Sequence, residues 1–446
     1  MSTLLNRFFR LRPGEYRLVI IMGLLLFANS LALEISDVVA ISGFLENVGV
    51  PELLIVYIVD MLLIIFTAGL QSLIVDRFHR VNLLRWMSIA IAFAYLGLRL
   101  LFVIGSPGWL NYSLLYLLSD QQWLFFPLIF WVLANDAFDM SQAKRLFPLI
   151  ASGGFIGQIV GLLIAGAAPA VMNSINVSSV ELLVFSSAIY IGAFFVVVFG
   201  LKNLKVRDST THEHVPVRET LLEGWGFVRE VPSFRYLMIS AFTVATVLVI
   251  LEYHFLSVSD AVFTGTSFQT FYSFYRLAGT LGAFVIQTFI TGRILQRVNL
   301  KDSFFILPTI VGLASAVMMI LPGIGSATVG FIAARLGKQT IDESSNKSLL
   351  ALVPEERRGR VSFFMDSYLF ASGVIFGCIV TGIIVVIGNL IGSTSYFYIY
   401  LAVAVIASLI ALWAIFKMRG VYDTSLFNWR LKRRQRGSKV LDKLDF

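Results

Sequence analysis

Stretches of about 20 apolar residues recur along the whole chain, each long enough to cross roughly 30 Å of hydrocarbon as a helix. No water is available there to satisfy a backbone, so a spanning segment must be a helix or part of a closed barrel. Barrel strands alternate in segments of about ten residues, and these runs are continuous, so helices are expected. Twelve are read, at about 16–44, 51–75, 82–104, 110–134, 147–171, 179–201, 234–257, 267–291, 303–321, 326–352, 361–388 and 395–417. Composition agrees: 57% of the 446 residues are hydrophobic and 14% are charged, with a mean hydropathy of +0.82. The first run is too long for a cleavable leader and carries no small-residue cleavage pattern. The single cysteine, Cys378, lies within an apolar segment, which leaves no internal disulfide to form.

The apolar segments are written twice. Tyr16-Arg17 leads through an apolar run to Leu33-Glu34, and Phe234-Arg235 leads through an equally long one to Leu251-Glu252. Arg80-Val81-Asn82-Leu83 returns at nearly the same separation as Arg297-Val298-Asn299-Leu300. A repeat of half the chain made of apolar segments predicts two pseudo-symmetric six-helix bundles, the build of a membrane transporter. The expected fold is thus an all-α polytopic membrane protein, with bundles at 1–201 and 234–417, a linker at 202–233 and a basic tail at 418–446. Within the linker, Val217, Leu221, Leu222, Trp225 and Val228 fall at helical spacing, which suggests an interfacial helix.

Basic residues set the orientation. The loops after odd-numbered segments contain neither Lys nor Arg. Arg7, Arg10 and Arg12, the 77–85 loop, Lys144-Arg145, the 293–301 and 355–360 stretches and the tail all lie on the other side. The expectation is an integral protein of the cytoplasmic (inner) membrane with both termini cytoplasmic. Its net charge of +8 suits anionic inner-leaflet lipid and calls for no nucleic-acid partner; the tail around Arg430–Arg436 reads as lipid-facing or as a docking site for another protein.

Charges inside a bilayer are costly and mark functional positions. At about 1.5 Å per residue, Glu34 and Asp37 fall in the middle to outer part of the first segment, with Glu252 and His254 equivalent in the seventh. Asp60 in the second and Arg276 in the eighth reach similar depths, as do Arg335 and Lys338 in the tenth and Asp120, Gln121 and Gln122 in the fourth. The repeats differ in sign at related positions, Asp60 against Arg276 and Asp120 against Lys338. These are read either as ion pairs that hold or gate the halves, or as the lining of a site. Arg335 and Lys338, two cations on one helical face, are expected to receive an anion such as a phosphate or carboxylate. Glu34 and Glu252 suit a proton or a cationic group; His254 reads as helix lining or as part of a coupling path. Gly153, Gly157 and Gly161, and again Gly373 and Gly377, recur every four residues as close-packing seams.

No enzyme is expected. A phosphate-cradling glycine loop with its Lys-Ser/Thr is missing from the sequence, His79 and His254 stand apart, and His212-Glu213-His214 reads as a solvated stretch, not a metal site. No cofactor follows.

Gly69 followed by Asp76-Arg77-Phe78-His79-Arg80 is a loosened form of a major facilitator superfamily loop pattern. Trp131, Ala134-Asn135, Ala143-Lys144-Arg145, Phe147 and Pro148-Leu149 resemble the nucleotide transporter family, the ATP/ADP translocases of plastids and intracellular bacteria. Residues 33–39 are similar to that family's Arg-Asp-Thr-Lys-Asp-Val-Leu segment, Glu252 falls on its helix-seven glutamate, and Lys347 lies near its helix-ten lysine. The resemblance implies a twelve-helix major-facilitator-like fold and nucleotide exchange. It assigns Asp76, Arg77, Arg80, Asn135, Lys144, Arg145 and Lys347 to gating or coupling, and Asp60 and His254 join them by their place in the apolar segments. Leu33 and Ser36 replace the family's arginine and lysine, and a lysine is lost near Leu256, so an altered anionic substrate is expected, held by Arg335, Lys338, Arg276, Glu34, Asp37, Asp120, Gln121 and Glu252. A competing expectation is a transporter fold kept as a non-transporting sensor, anchor or assembly partner.

Overall fold

The computed structural model describes residues 15–75, 79–202, 204, 225–350, 353, 361–392 and 395–441. All regular structure among them is helical. The helices are α1 (Tyr16–Asn47), α2 (Val50–Val75), α3 (Arg80–Ile104), α4 (Gly108–Ala137), α5 (Met140–Ser174), α6 (Leu182–Gly200), α7 (Pro232–Val262), α8 (Thr266–Val285), α9 (Ile306–Ile320), α10 (Ile324–Leu336), α11 (Phe370–Ile391) and α12 (Phe397–Leu441).

Eleven of the described helical stretches are long and apolar enough to cross a membrane. The tenth expected span differs for a physical reason. Its helix passes from α10 through a π turn, Gly337–Asp342, into Glu343–Leu350, and carries Arg335, Lys338, Asp342, Glu343 and Lys347. Elsewhere large apolar side chains stand exposed, among them Phe66, Ile104, Phe199 and Leu390, an outer surface that suits lipid and not water. Helix ends follow local chemistry. Gly105 (φ +78°) ends α3 and Gly392 (φ +68°) ends α11, each in the left-handed conformation that a helix C-terminus demands and glycine adopts without strain.

The described residues form two compact units: one within Met1–Val56, Phe66–His214 and Ser259–Thr280, the other within Tyr57–Ile65, Val215–Val258 and Leu281–Phe446. The units therefore do not coincide with the sequence halves, because the end of α7 and the first part of α8 fall in the first unit and the middle of α2 falls in the second. In the second unit, residues 225–230 are helical. This is the described part of the expected interfacial helix, and it is more than a surface element: Phe227 and Val228 are buried in a core with Phe234, Leu237, Ile415 and Met418, while Trp225, Arg229 and Glu230 stand exposed. The basic tail continues α12 as helical backbone to Leu441.

In the first unit, α5 lies directly on α1. A Cβ placed on Gly153 would come 2.4 Å from the Gly23 carbonyl oxygen, on Gly157 2.4 Å from that of Phe27, and on Gly161 2.8 Å from that of Leu31. The second unit repeats the arrangement with α11 on α7, where Gly373 meets the Phe242 carbonyl at 2.6 Å and Gly377 that of Thr246 at 3.0 Å. Both glycine seams thus bring backbones together, and they occupy the same place in the two repeats.

Behind α1 a buried polar network joins α1, α3, α4 and α6. Tyr95 donates to Gln122 Oε1 (2.5 Å), and its hydroxyl oxygen lies 2.8 Å from Ser36 Oγ; Ser119 donates to Ser36 (3.0 Å), Gln122 to the Asn29 carbonyl (3.1 Å), and Tyr190 to Asn29 Oδ1 (2.6 Å). All six residues are buried. Ser36 therefore faces the bundle interior. Tyr95→Phe leaves Gln122 Oε1 buried without this donor and is expected to cost about 1–3 kcal/mol, read as a lower melting temperature of the purified protein.

Candidate functional site

Glu34 and Asp37 lie three residues apart and so share one face of α1, turned away from the buried network that holds Ser36. Arg276 of α8 meets both: its guanidinium pairs with Glu34 at 2.9 Å and with Asp37. The three side chains are 6%, 18% and 11% exposed for Glu34, Asp37 and Arg276. Tyr272, one turn earlier, presents its ring 5.9 Å from the guanidinium carbon. The same stretch of α8 is held to α5, where Gln269 donates to the Ala165 carbonyl (2.9 Å) and Thr270 to that of Gly166 (3.2 Å). Gly161 of α5 lies behind Glu34, where an added Cβ would come 3.0 Å from the Glu34 Cβ. A helix of the second repeat is therefore fastened to two helices of the first by one buried ion cluster and two side-chain-to-backbone bonds. Arg276 is thus compensated by carboxylates here and not waiting for an anion.

In the second unit, Lys338 donates to Asp342 at 2.7 Å, one turn on in the same helix. Asn346 donates to the same carboxylate oxygen at 3.0 Å. The expectation that Lys338 needs an external anion is corrected by this carboxylate four residues away, a spacing legible in the sequence that the reading passed over. Asp366, on the π turn Phe364–Leu369 that leads into α11, interacts electrostatically with Lys338 and accepts from Ser362 at 2.8 Å. Lys347 is paired with Glu343 at 2.5 Å and well exposed. A small cavity of about 20 Å³ lies beside Lys338, Asp342 and Asn346, with Ser240, Phe304 and Pro308 among its other lining residues.

The remaining expected residues are more scattered. Asp60 is fully buried in α2. Gln121 accepts from Thr67 at 3.1 Å, while Asp120, Glu252 and Arg335 are half-buried. His254 is buried and shares a hydrogen bond with Tyr400 (2.9 Å) inside a set of aromatic rings that includes Phe397, an environment that favours helix lining. Near the ends of the helices, Arg80 pairs with Asp136 at 3.1 Å and Arg145 with Glu15 at 2.8 Å, so both join parts of the first unit. Asn135 is exposed on α4. Asp76 and Arg77 lie outside the described residues, as does the side chain of Lys144. Among the described residues no group of His, Cys, Asp and Glu is arranged to hold a metal ion. Asp342, Asp366 and Asn346 are additions that the sequence reading did not single out.

No protein-family model and no curated protein matches the sequence. Solved structures do match its fold. The nucleoside transporter NupG superposes with a TM-score of 0.63 at 15% identity, covering 91% of this chain and 99% of that one. A bacterial homologue of the human lysosomal transporter Spinster, inward-facing and unoccupied, gives 0.66 at 13% identity over 93% and 99%. A bacterial homologue of the iron transporter ferroportin, inward-facing, gives 0.66 at 12% over 92% and 100%. The described residues have the helical, polytopic membrane fold of major-facilitator-type transporters.

Proposed function

We propose that this chain is a transporter of the cytoplasmic membrane, with its basic loops and both termini in the cytoplasm, that carries a small anionic metabolite by alternating access. The observation that carries the reading is the Arg276 cluster. A buried link between α8 of one repeat and α1 of the other is stable when formed, and its charged members can separate into water when the helices part, which is what a gate requires. The neighbours are named for nucleoside, lysosomal and iron transport, and such a spread within one fold means that the substrate must be argued from the site.

A nucleotide-like anion remains the substrate class, on the resemblance in residues 131–149 and the cations of the tenth helix. The geometry adds a condition. Lys338 already holds Asp342, so an arriving phosphate or carboxylate competes with that side chain for the ammonium. Uptake of labelled nucleotides into proteoliposomes tests this: wild-type vesicles should accumulate one or more of them, and Lys338→Gln should lose at least about tenfold in uptake, the loss expected for one charge-assisted contact worth about 1.5–3 kcal/mol. Uptake of uncharged nucleosides alone would remove the anion. No uptake of any solute would favour a module that does not transport.

A further inference from the structure

Gly337–Asp342, after α10, is a π turn, a break in the helical ladder that recurs at functional sites. Lys338 and Asp342 stand on it. Two donors, Lys338 Nζ at 2.7 Å and Asn346 Nδ2 at 3.0 Å, meet the same carboxylate oxygen of Asp342, Oδ2. The other oxygen, Oδ1, receives no hydrogen bond from any described residue. Ser240 of α7 is in a similar state. It is 4% exposed, yet its hydroxyl has no partner among the described residues, and neither has the Asn346 side-chain oxygen, Oδ1. Polar groups this deep are nearly always paired, so each exception calls for an explanation.

Ser240, Asp342 and Asn346 line the same small cavity of about 20 Å³, with Leu237, Val244 and Phe304 among its apolar walls. A space of that size admits one group as large as a water. Three acceptors around it match a primary ammonium, which has three N–H donors, no acceptor and a charge for Asp342. Lys338 complements this from the cavity's edge. Its side chain is 33% exposed, and its bond to Asp342 uses one N–H of three, which leaves two for an anion.

A phosphate or carboxylate without an ammonium has to draw Lys338 away from Asp342, whose side chain is 12% exposed. That strands a carboxylate with little water and no cation, which is costly. An anion that brings its own ammonium avoids the cost. Its anionic group takes the two remaining N–H groups of Lys338 while its ammonium takes Asp342 Oδ1, Asn346 Oδ1 and the Ser240 hydroxyl, and the four charges alternate in sign.

Resting on the transport reading above, we infer that Lys338 and Asp342 anchor the substrate together, and that the anion carried bears a primary ammonium close to its phosphate or carboxylate, as an aminoalkyl phosphate or an amino acid does. This narrows the anion. A nucleotide with no ammonium near its phosphate engages Lys338 alone and binds more weakly.

The test is isothermal titration of the purified full chain with probes that differ only in the amine: 2-aminoethyl phosphate against ethyl phosphate, and glutamate against glutarate. In at least one pair the amine should tighten binding about tenfold or more, the effect of one charge-assisted contact. Asp342→Asn keeps the shape and removes the counter-charge, so it should erase the difference within the pair. Ser240→Ala, which leaves every charge in place, should reduce that difference, and it serves as the variant arm if Asp342→Asn unfolds. Equal affinity within both pairs overturns the inference, since the cavity then takes a water only; the anion reading still stands if Lys338→Gln weakens every probe. A preference for the amine that survives Asp342→Asn also overturns it. Binding of no anion, nucleotides included, removes the anion reading and the inference together.

Discussion

Arg276→Gln is expected to destabilise the purified protein by about 3–5 kcal/mol and to abolish transport. The guanidinium is the described partner of both Glu34 and Asp37, and all three side chains are under one-fifth exposed, so removing it strands two carboxylates in a medium that cannot solvate them. Breaking a buried pair from one side costs about that much, far more than the pair's net worth, because a charge is left without compensation. The diagnostic variant is therefore the triple one. Adding Glu34→Gln and Asp37→Asn to Arg276→Gln removes the stranded charges and should recover most of the lost melting temperature while transport stays absent, since the gate has lost its electrostatic latch. Equal melting temperatures for Arg276→Gln and wild type would show that the cluster is not closed in solution. Recovery of transport in the triple variant would show that it is not the latch.

Gly157→Ala is expected to lower stability by about 2–3 kcal/mol, the upper part of the usual range for overpacking. The added methyl would sit 2.4 Å from the Phe27 carbonyl oxygen. That obstacle is backbone, which cannot rotate aside as a side chain can, so α5 and α1 must separate along the seam that also supports Glu34. Gly373→Ala should behave alike in the second repeat, where the Phe242 carbonyl lies 2.6 Å away. Gly192→Ala is the control. Nothing lies within 4 Å of its added methyl, so it should gain about 0.5–1 kcal/mol from reduced chain entropy. Thermal unfolding in one detergent compares them, and a Gly157→Ala protein that melts with the Gly192→Ala protein would show that the seam is loose.

Much of the scaffold was legible in the linear chain. Segment length alone predicts spanning helices, and eleven described stretches meet that description. The doubled Leu-Glu and Arg-Val-Asn-Leu words predict a repeat, and the two glycine seams, α5 on α1 and α11 on α7, are its physical counterpart. The tenth span shows the limit. Its apolar length was visible, but a π turn among five charged residues was not, because helix irregularity depends on what the neighbouring helices force upon the ladder.

The site was read only in part. Glu34, Asp37, Arg276 and Lys338 were marked by their depth, since a charge in an apolar segment is conspicuous wherever its partner lies. Partner identity was the missing quantity. Each residue turns a helix face by about 100°, so which carboxylate meets a given cation depends on the rotation of both helices about their axes, and that is set by packing across many other side chains. Ser36 and Asp37 show the consequence: adjacent in sequence, one enters a hydrogen-bond network within the first unit and the other meets an arginine from α8. By itself, then, the sequence determined that this protein is a membrane-spanning, duplicated helical chain with charges at mid-depth, because length, period and composition are properties of one dimension. Only the tertiary structure decided that Arg276 is neutralised by Glu34 and Asp37, because ion pairing between helices is decided by helix rotation and close backbone approach, which no single segment encodes.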